Sequence, residues 1–266
     1  LATASMKGRL ATLQLFLRFC ASIDAVQSGL DEKIILPKAG RAREELITGE
    51  QAEKILTHLE RYEYATLAHA FLEVLWHTGL RVGAAVALDI RDYDSEEQHL
   101  ELVHRPDEDT ALKNGIESER YVALGERVCG VLDDWLEVNH TGVTDDYGRN
   151  PLFATHTNRL SRNHGRTIAY QYTRPCVYGS ACPHDRDVDD CEALPTKMAY
   201  ACPSSLSPHP FRRGAITYHL HEDTPEKIVS DRMDVSMEVL EKHYDQRTER
   251  EKVQQRRRYL PNDLAE

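Results

Sequence analysis

Apolar residues return at helical spacing along most of this 266-residue chain, and that periodicity directs it to a mainly α fold. Leu10, Leu13, Phe16, Leu17 and Cys20 share one face of a first helix. The run Leu36-Pro37-Lys38-Ala39-Gly40 breaks the pattern as a linker does. Thr48 and Gln51 form a capping-box pair that opens a helix reaching about residue 59. The next helix faces Leu67, Phe71, Val74 and Leu75 inward and stops at Thr78-Gly79. Residues 99–104 and 121–124 read instead as two short strands around a charged loop. Helices resume near Glu126, and a basic helix closes the mixed stretch 153–171. Three short helices, at about 210–220, 225–232 and 237–243, precede a basic tail ending in Arg256-Arg257-Arg258. The expected class is mainly α with a small β-hairpin or sheet. The chain opens on Leu1 inside a helical pattern, as a segment cut from a longer protein would.

No apolar run approaches the ~18 to 20 residues of a membrane span. No signal peptide is visible either. The expectation is therefore a cytoplasmic protein with no membrane partner. The net charge of −11 argues against indiscriminate affinity for nucleic acid. The kind of cation matters more than the sum: there are 24 Arg and 9 Lys, and Arg is the residue suited to forked phosphate contacts. An acidic, lysine-poor composition is also that of proteins working in high salt, where the field is already screened. Net charge thus leaves the question to the motifs.

Six cysteines are present. Cys20 and Cys129 sit in helical patterns as small core residues. Cys176, Cys182, Cys191 and Cys202 crowd into an aperiodic stretch, residues 173–208. Without a secretory signal, such a cluster reads as metal binding before disulfides. Four thiolates satisfy a tetrahedral structural Zn²⁺, with His184 as the alternative fourth ligand. Bound metal would explain how so aperiodic a segment holds shape. The bland alternative is a loop with free thiols.

Four further elements could carry chemistry. Arg81 stands just beyond the helix stop in His77-Thr78-Gly79-Leu80-Arg81, on a turn that lets it point into a cleft. His209 and Arg212, in Pro208-His209-Pro210-Phe211-Arg212, are three apart at a helix start and so share one face. Together with the helix N-terminus they offer three attractions to one anion. Lys113 lies inside the hairpin. Tyr244 ends a short helix. Taken singly, each has an ordinary structural explanation: a solvated Arg, a capped surface helix, a loop Lys and a packing Tyr.

Their order and spacing together resemble the tyrosine recombinase (phage integrase) family, in its archaeal, haloarchaeal-type members. The resemblance covers roughly Glu44 to Tyr244. It implies that family's catalytic-domain fold over residues 44–266, with the Cys-rich stretch 173–206 as an insertion. Residues 1–43 would be the end of a helical core-binding domain and its linker. It implies Tyr244 as a nucleophile that forms a 3′-phosphotyrosine and frees a 5′-hydroxyl. Arg81 and Arg212 would hold the non-bridging oxygens. His209 would assist, and Lys113 would protonate the leaving oxygen. A phenol of ordinary pKa, about 10, is a weak nucleophile at neutral pH, so the two Arg must help activate it. Catalysis would need no cofactor, the zinc being structural only. The implied partner is double-stranded DNA with specific recombination sites, bound by a homotetramer on synapsed DNA, and the implied source a mobile element or virus. A type IB topoisomerase uses similar chemistry, and a catalytically impaired DNA-binding protein of the same fold is the other alternative.

Two positions depart from the family pattern. Nine residues before Tyr244, where a second His or a Trp is usual, stands Val235, which donates no hydrogen bond. Ala84 replaces the acidic residue often found three after the first Arg. The nearby Arg232 is a candidate replacement donor.

Overall fold

A computed structural model describes residues 3–38, 45–179, 181–245, 247–257 and 260. Part of the linker, Ala39-Gly40, and the last Arg of the tail, Arg258, lie outside the described residues. The chain divides into two compact units, Leu1–Glu45 and Leu46–Glu266. The first carries helix α1, Thr3–Ser22, and one turn of 3₁₀ helix, Asp31–Lys33. Arg18 pairs with Asp31 at 2.7 Å and Gln14 donates to Ile34 O at 2.9 Å, so the segment after α1 folds back along it. Cys20 is only half-buried.

The second unit is built around α3, Leu67–Thr78, which packs against α2, Gly49–Tyr62, as well as three later helices: α5, Glu126–Asp134, α6, Arg162–Tyr172, and α7, Pro208–His221. Ala70, Phe71, Leu72, Val74 and Leu75 of α3 are all fully buried. Such all-round apolarity is what a central helix needs. The Thr48/Gln51 capping box forms as its spacing predicts. Gly79 closes α3 in the left-handed region at φ 60°, and a Cβ there would lie 2.7 Å from Met233 Sδ. The turn and the close approach both require glycine. After it come α4, Val82–Ala85, and a three-stranded antiparallel sheet: β1 Tyr93–Asp94, β2 His99–Leu102 and β3 Arg120–Ala123. Leu102 faces Arg120 and His99 faces Ala123 in the β2–β3 register. Cys129, on α5, is buried in the core.

The expected closing helices are α7, Pro208–His221, α8, Glu226–Met233, and α9, Met237–His243. The basic tail, for which the sequence pattern offered no helix, is helical over Glu249–Arg257 as α10. Its anchor is the buried Arg247, which donates to Asp245 and to Glu226 at 2.8 Å. Ile216, Leu220, Val229, Met233, Val235, Leu240 and Tyr244 form a second apolar cluster beneath α7–α9. Gly214 lets α7 press onto the start of the unit, since a Cβ there would meet Ile47 O at 2.1 Å. Among the described residues, no helix is long and apolar enough to cross a membrane.

Candidate phosphate-binding cleft

Elements far apart in sequence line one cleft of about 650 Å³, and every residue expected to be catalytic is in its wall: Arg81, Lys113, His209, Arg212 and Tyr244. Arg81 is placed by the Gly79 turn as the residue capping α4. Lys113 is exposed on the long β2–β3 connection, not at a tight hairpin tip. That connection is pinned where Leu112 N donates to His104 Nδ1 at 2.9 Å and His104 N to Glu119 Oε1 at 2.8 Å. His209 and Arg212 come from the first turns of α7, whose N-cap Ser207 makes no side-chain capping bond. Tyr244 is fixed by the apolar cluster, with its carbonyl accepting from Thr217 Oγ1 at 3.2 Å and Arg213 5.9 Å from its ring centre.

Arg212 is buried and braced at its back, donating to Gly79 O at 2.7 Å and to Asp234 O at 3.1 Å. Burial first, then repulsion from Arg81, pulls its guanidinium down to about 10; Tyr244 and Asp234 oppose that fall. Burial, with repulsion from Arg212, Arg213, Lys113 and Arg81, also lowers the His209 imidazole. His209 is therefore neutral near pH 7, available as a hydrogen-bond donor or a proton acceptor.

Two residues of the cleft escaped the sequence reading. Arg120, on β3, lines it and is pulled down to about 10, mainly by burial. It donates to Ser118 O at 2.7 Å and Arg232 O at 2.9 Å. The readable signal was an Arg in phase with buried Val122 on a strand. Asp234 is the other. Its carboxylate accepts from Arg81, from Ser118 Oγ at 2.9 Å and from Asn114 Nδ2 at 3.2 Å. Burial alone would raise that carboxyl, but the Ser118 hydrogen bond and Arg81 outweigh it and hold it low.

The departures from pattern resolve unequally. Val235 is buried in the apolar cluster and lines the cleft without a donor. Arg232 does not replace it: its guanidinium donates to Ala123 O at 2.6 Å and His77 O at 3.2 Å and is no part of the cleft wall. Those two carbonyls, at a strand end and in the last turn of a helix, hold it out of the cleft wall. The carboxylate missing at Ala84 is supplied to Arg81 by Asp234 instead.

The phage integrase family model matches residues 45–185, more than half of the chain. The chain belongs to the phage integrase family. That match includes Arg81 and Lys113; His209, Arg212 and Tyr244 lie beyond it, and the cleft geometry is what joins them to the first two. The family's tyrosine recombinase XerC from Roseiflexus castenholzii is 25% identical over 188 residues, 69% of this chain and 57% of the relative. XerC from Roseiflexus sp. strain RS-1 is 27% identical over the same shares. The chain thus spans less than three fifths of these curated relatives. Among solved folds, the Tn1549 transposon integrase in complex with a circular intermediate DNA superposes with a TM-score of 0.69 at 13% identity, over 98% of this chain and 80% of that one. A λ integrase tetramer bound to a Holliday junction gives 0.60 at 15% identity, over 93% and 62%. Mainly helical with a small antiparallel sheet, the chain shares the fold of these integrases.

The cysteine-rich stretch lines a separate cavity. Cys176, Cys182, Cys191 and Cys202 line one small cavity of about 20 Å³ together with His184 and Arg174. His184 is engaged with Ser204 Oγ at 2.8 Å, and all four cysteines are free. Among the described residues, no three Cys, His, Asp or Glu side chains already stand at metal-binding distance.

Proposed function

We propose that this chain is the catalytic part of a site-specific DNA recombinase that cuts and rejoins strands through Tyr244. The observation carrying this reading is the convergence of Arg81, Lys113, His209, Arg212 and Tyr244 on one cleft. Tyr244 Oη attacks the scissile phosphorus, its proton passing to neutral His209 or to water. A phosphotyrosine forms on the 3′ side and the bond to the 5′-oxygen breaks. Arg81, Arg212 and the α7 N-terminus face the charge that builds on the non-bridging oxygens. Lys113, on its exposed loop, gives the departing 5′-oxygen a proton. Bond energy stays in the phosphotyrosine, so rejoining reverses the same steps. The partner is double-stranded DNA carrying recombination sites, engaged by four copies of the protein; the DNA-bound λ integrase tetramer supports that assembly. In this reading the unit before residue 46 is the end of a core-binding domain. The acidic, arginine-rich surface fits a cytoplasmic protein of a halophilic archaeon's mobile element.

A substrate nicked a few nucleotides 3′ of the scissile phosphate tests the reading, because the short 5′-hydroxyl fragment released by cleavage diffuses away and leaves the covalent complex trapped. Wild type should be trapped, and Tyr244→Phe should bind but not be trapped. An adduct with Tyr244→Phe would show the nucleophile to be another group. DNA binding without any adduct in wild type would favour an impaired DNA-binding protein, the reading that the donor-less Val235 supports.

We also propose one structural Zn²⁺ on Cys176, Cys182, Cys191 and Cys202. Their shared cavity of about 20 Å³ is close to the ~10 to 15 Å³ that one water-sized sphere needs. His184 is already committed to Ser204, so four thiolates are the simpler set. The metal would brace the irregular segment leading into α7. Elemental analysis of protein never exposed to chelator should find about one zinc per chain; none would remove this assignment.

A further inference from the structure

Asp234 is where three parts of the cleft meet. Its carboxylate receives Arg81 from the α3–α4 turn, and Asn114 and Ser118 from the Lys113 loop. Its carbonyl receives Arg81 Nη2 at 2.9 Å and Arg212 Nη2 at 3.1 Å. The residue adopts φ 49°, ψ 61°, a left-handed conformation few non-glycine residues hold without compensation. These hydrogen bonds are the compensation.

A guanidinium carries five N–H donors in one plane. Asp234 takes one from each terminal nitrogen of Arg81, which fixes the plane and leaves donors for an anion. The same carboxylate ties the loop bearing Lys113 to that plane. We propose that Asp234 is a positioning residue: its carboxylate sets Arg81 and the Lys113 loop so that both cations face one phosphate. The proposal rests on the recombinase reading. It makes Asp234 the functional replacement for a carboxylate at position 84. Ala84 follows Arg81 by one helical turn and lines, with Arg81 and Asp234, an adjoining cavity of about 430 Å³. A glutamate there has room to reach Arg81.

The test uses Asp234→Gly, which removes the carboxylate without strain at positive φ, and Asp234→Asn, which keeps the shape. In single-turnover cleavage of the nicked substrate, Asp234→Gly should lose roughly 10- to 100-fold in rate, the size of effect misplacement brings. DNA affinity should move by less than about threefold, as for an interaction felt only in the transition state. Asp234→Asn should fall between, and Ala84→Glu should restore part of the rate to Asp234→Gly. An unchanged rate overturns the proposal. A faster rate also overturns it, by showing that the carboxylate competes with phosphate for Arg81. An equal loss of rate and affinity overturns it as well, by making the role merely structural. If wild type forms no adduct, the recombinase reading fails on its own. Hydrogen exchange across residues 112–118 then decides the positioning: faster exchange in Asp234→Gly supports it, and no change overturns it.

Discussion

Two buried clusters of arginines in this protein differ in their charge balance. In the first, Arg105, Arg149 and Arg159 meet Asp89, Asp92 and Asp145. Arg105 reaches Asp92 at 2.6 Å, Arg149 reaches Asp145 at 3.1 Å, and Arg159 joins Asp145 at 2.8 Å and also Asp89. The three carboxylates are at most 6% exposed. Three cations answer three anions, and the network clamps the 103–110 and 145–160 connections together. In the second, the cleft, Arg81, Arg120 and Arg212 surround the single inward carboxylate of Asp234. Lys113, Glu117, Glu119 and Asp231 also line it but are exposed. Cations in excess at partly buried positions form a seat for an anion that the chain itself does not supply. Equal numbers make a brace, and the surplus makes a binding site.

Lys113→Ala should break that contrast most sharply. Lys113 is exposed and pairs with none of the brace, so the melting temperature should stay put. The cleavage rate should fall by ~10² to 10⁴, the usual worth of a positioned general acid. A substrate with sulfur at the 5′ leaving position needs no proton, and with it the variant should regain most of its rate. An equal loss on both substrates would show that Lys113 serves binding rather than proton transfer.

Asp89→Ala attacks the brace instead. Asp89 is 1% exposed and faces Arg159, Arg149 and Arg105. Removing it leaves buried guanidinium charge unanswered, which typically costs about 3 to 5 kcal/mol. Chemical denaturation should show that loss, while cleavage per folded molecule stays near wild type. A stable but inactive Asp89→Ala would mean that the two clusters communicate and that the brace is part of the binding site.

The sequence made one cluster legible and hid the other. Arg81 could be singled out because it follows a glycine helix stop, and His209 and Arg212 because they share the first turns of one helix. The helices themselves followed from periodicity and caps, down to the Thr48/Gln51 box. Arg105, Arg149 and Arg159 carry no such local mark in so arginine-rich a chain; only their partners in space distinguish them. Asp234 was invisible for the same reason, since it meets Arg81 across 153 residues of chain. The α10 helix was missed because its charged residues show no apolar period, and tertiary pairing through Arg247 holds it. Arg232 was misjudged because sequence proximity to Val235 does not place its side chain in the cleft wall.

The smallest expected effect sharpens the comparison from the side of pH. His77 ends α3 behind the cleft, where Gly125 N donates to its Nε2 at 3.1 Å. Arg232 and His219 face it, and burial, then these two groups, pulls its imidazole down to about 4. Neither group facing His77, Arg232 or His219, is a carboxylate that would answer a new positive charge. The folded protein therefore keeps His77 neutral, whereas the unfolded chain takes up a proton near the ordinary value of about 6.5. Between about pH 6.5 and 4 the unfolded state binds more protons, so stability must fall as pH falls through that window. The share of His77 is on the order of 1 to 3 kcal/mol, and the loss ends once the folded state is protonated too. Asp145 of the brace contributes nothing in this range. Despite its burial, Asp145 is held down to about 2 by hydrogen bonds from Arg149 and Arg159, so its own loss comes only at lower pH. Melting temperatures from pH 7 to 4 should therefore drop for wild type. The drop should be smaller for His77→Gln, whose side chain keeps an acceptor but does not titrate. His69, also buried and held at about 4, leaves the variant a residual slope. If wild type and His77→Gln lose stability in parallel, His77 already carries its proton in the fold, and the pocket behind the cleft must hold an anion after all.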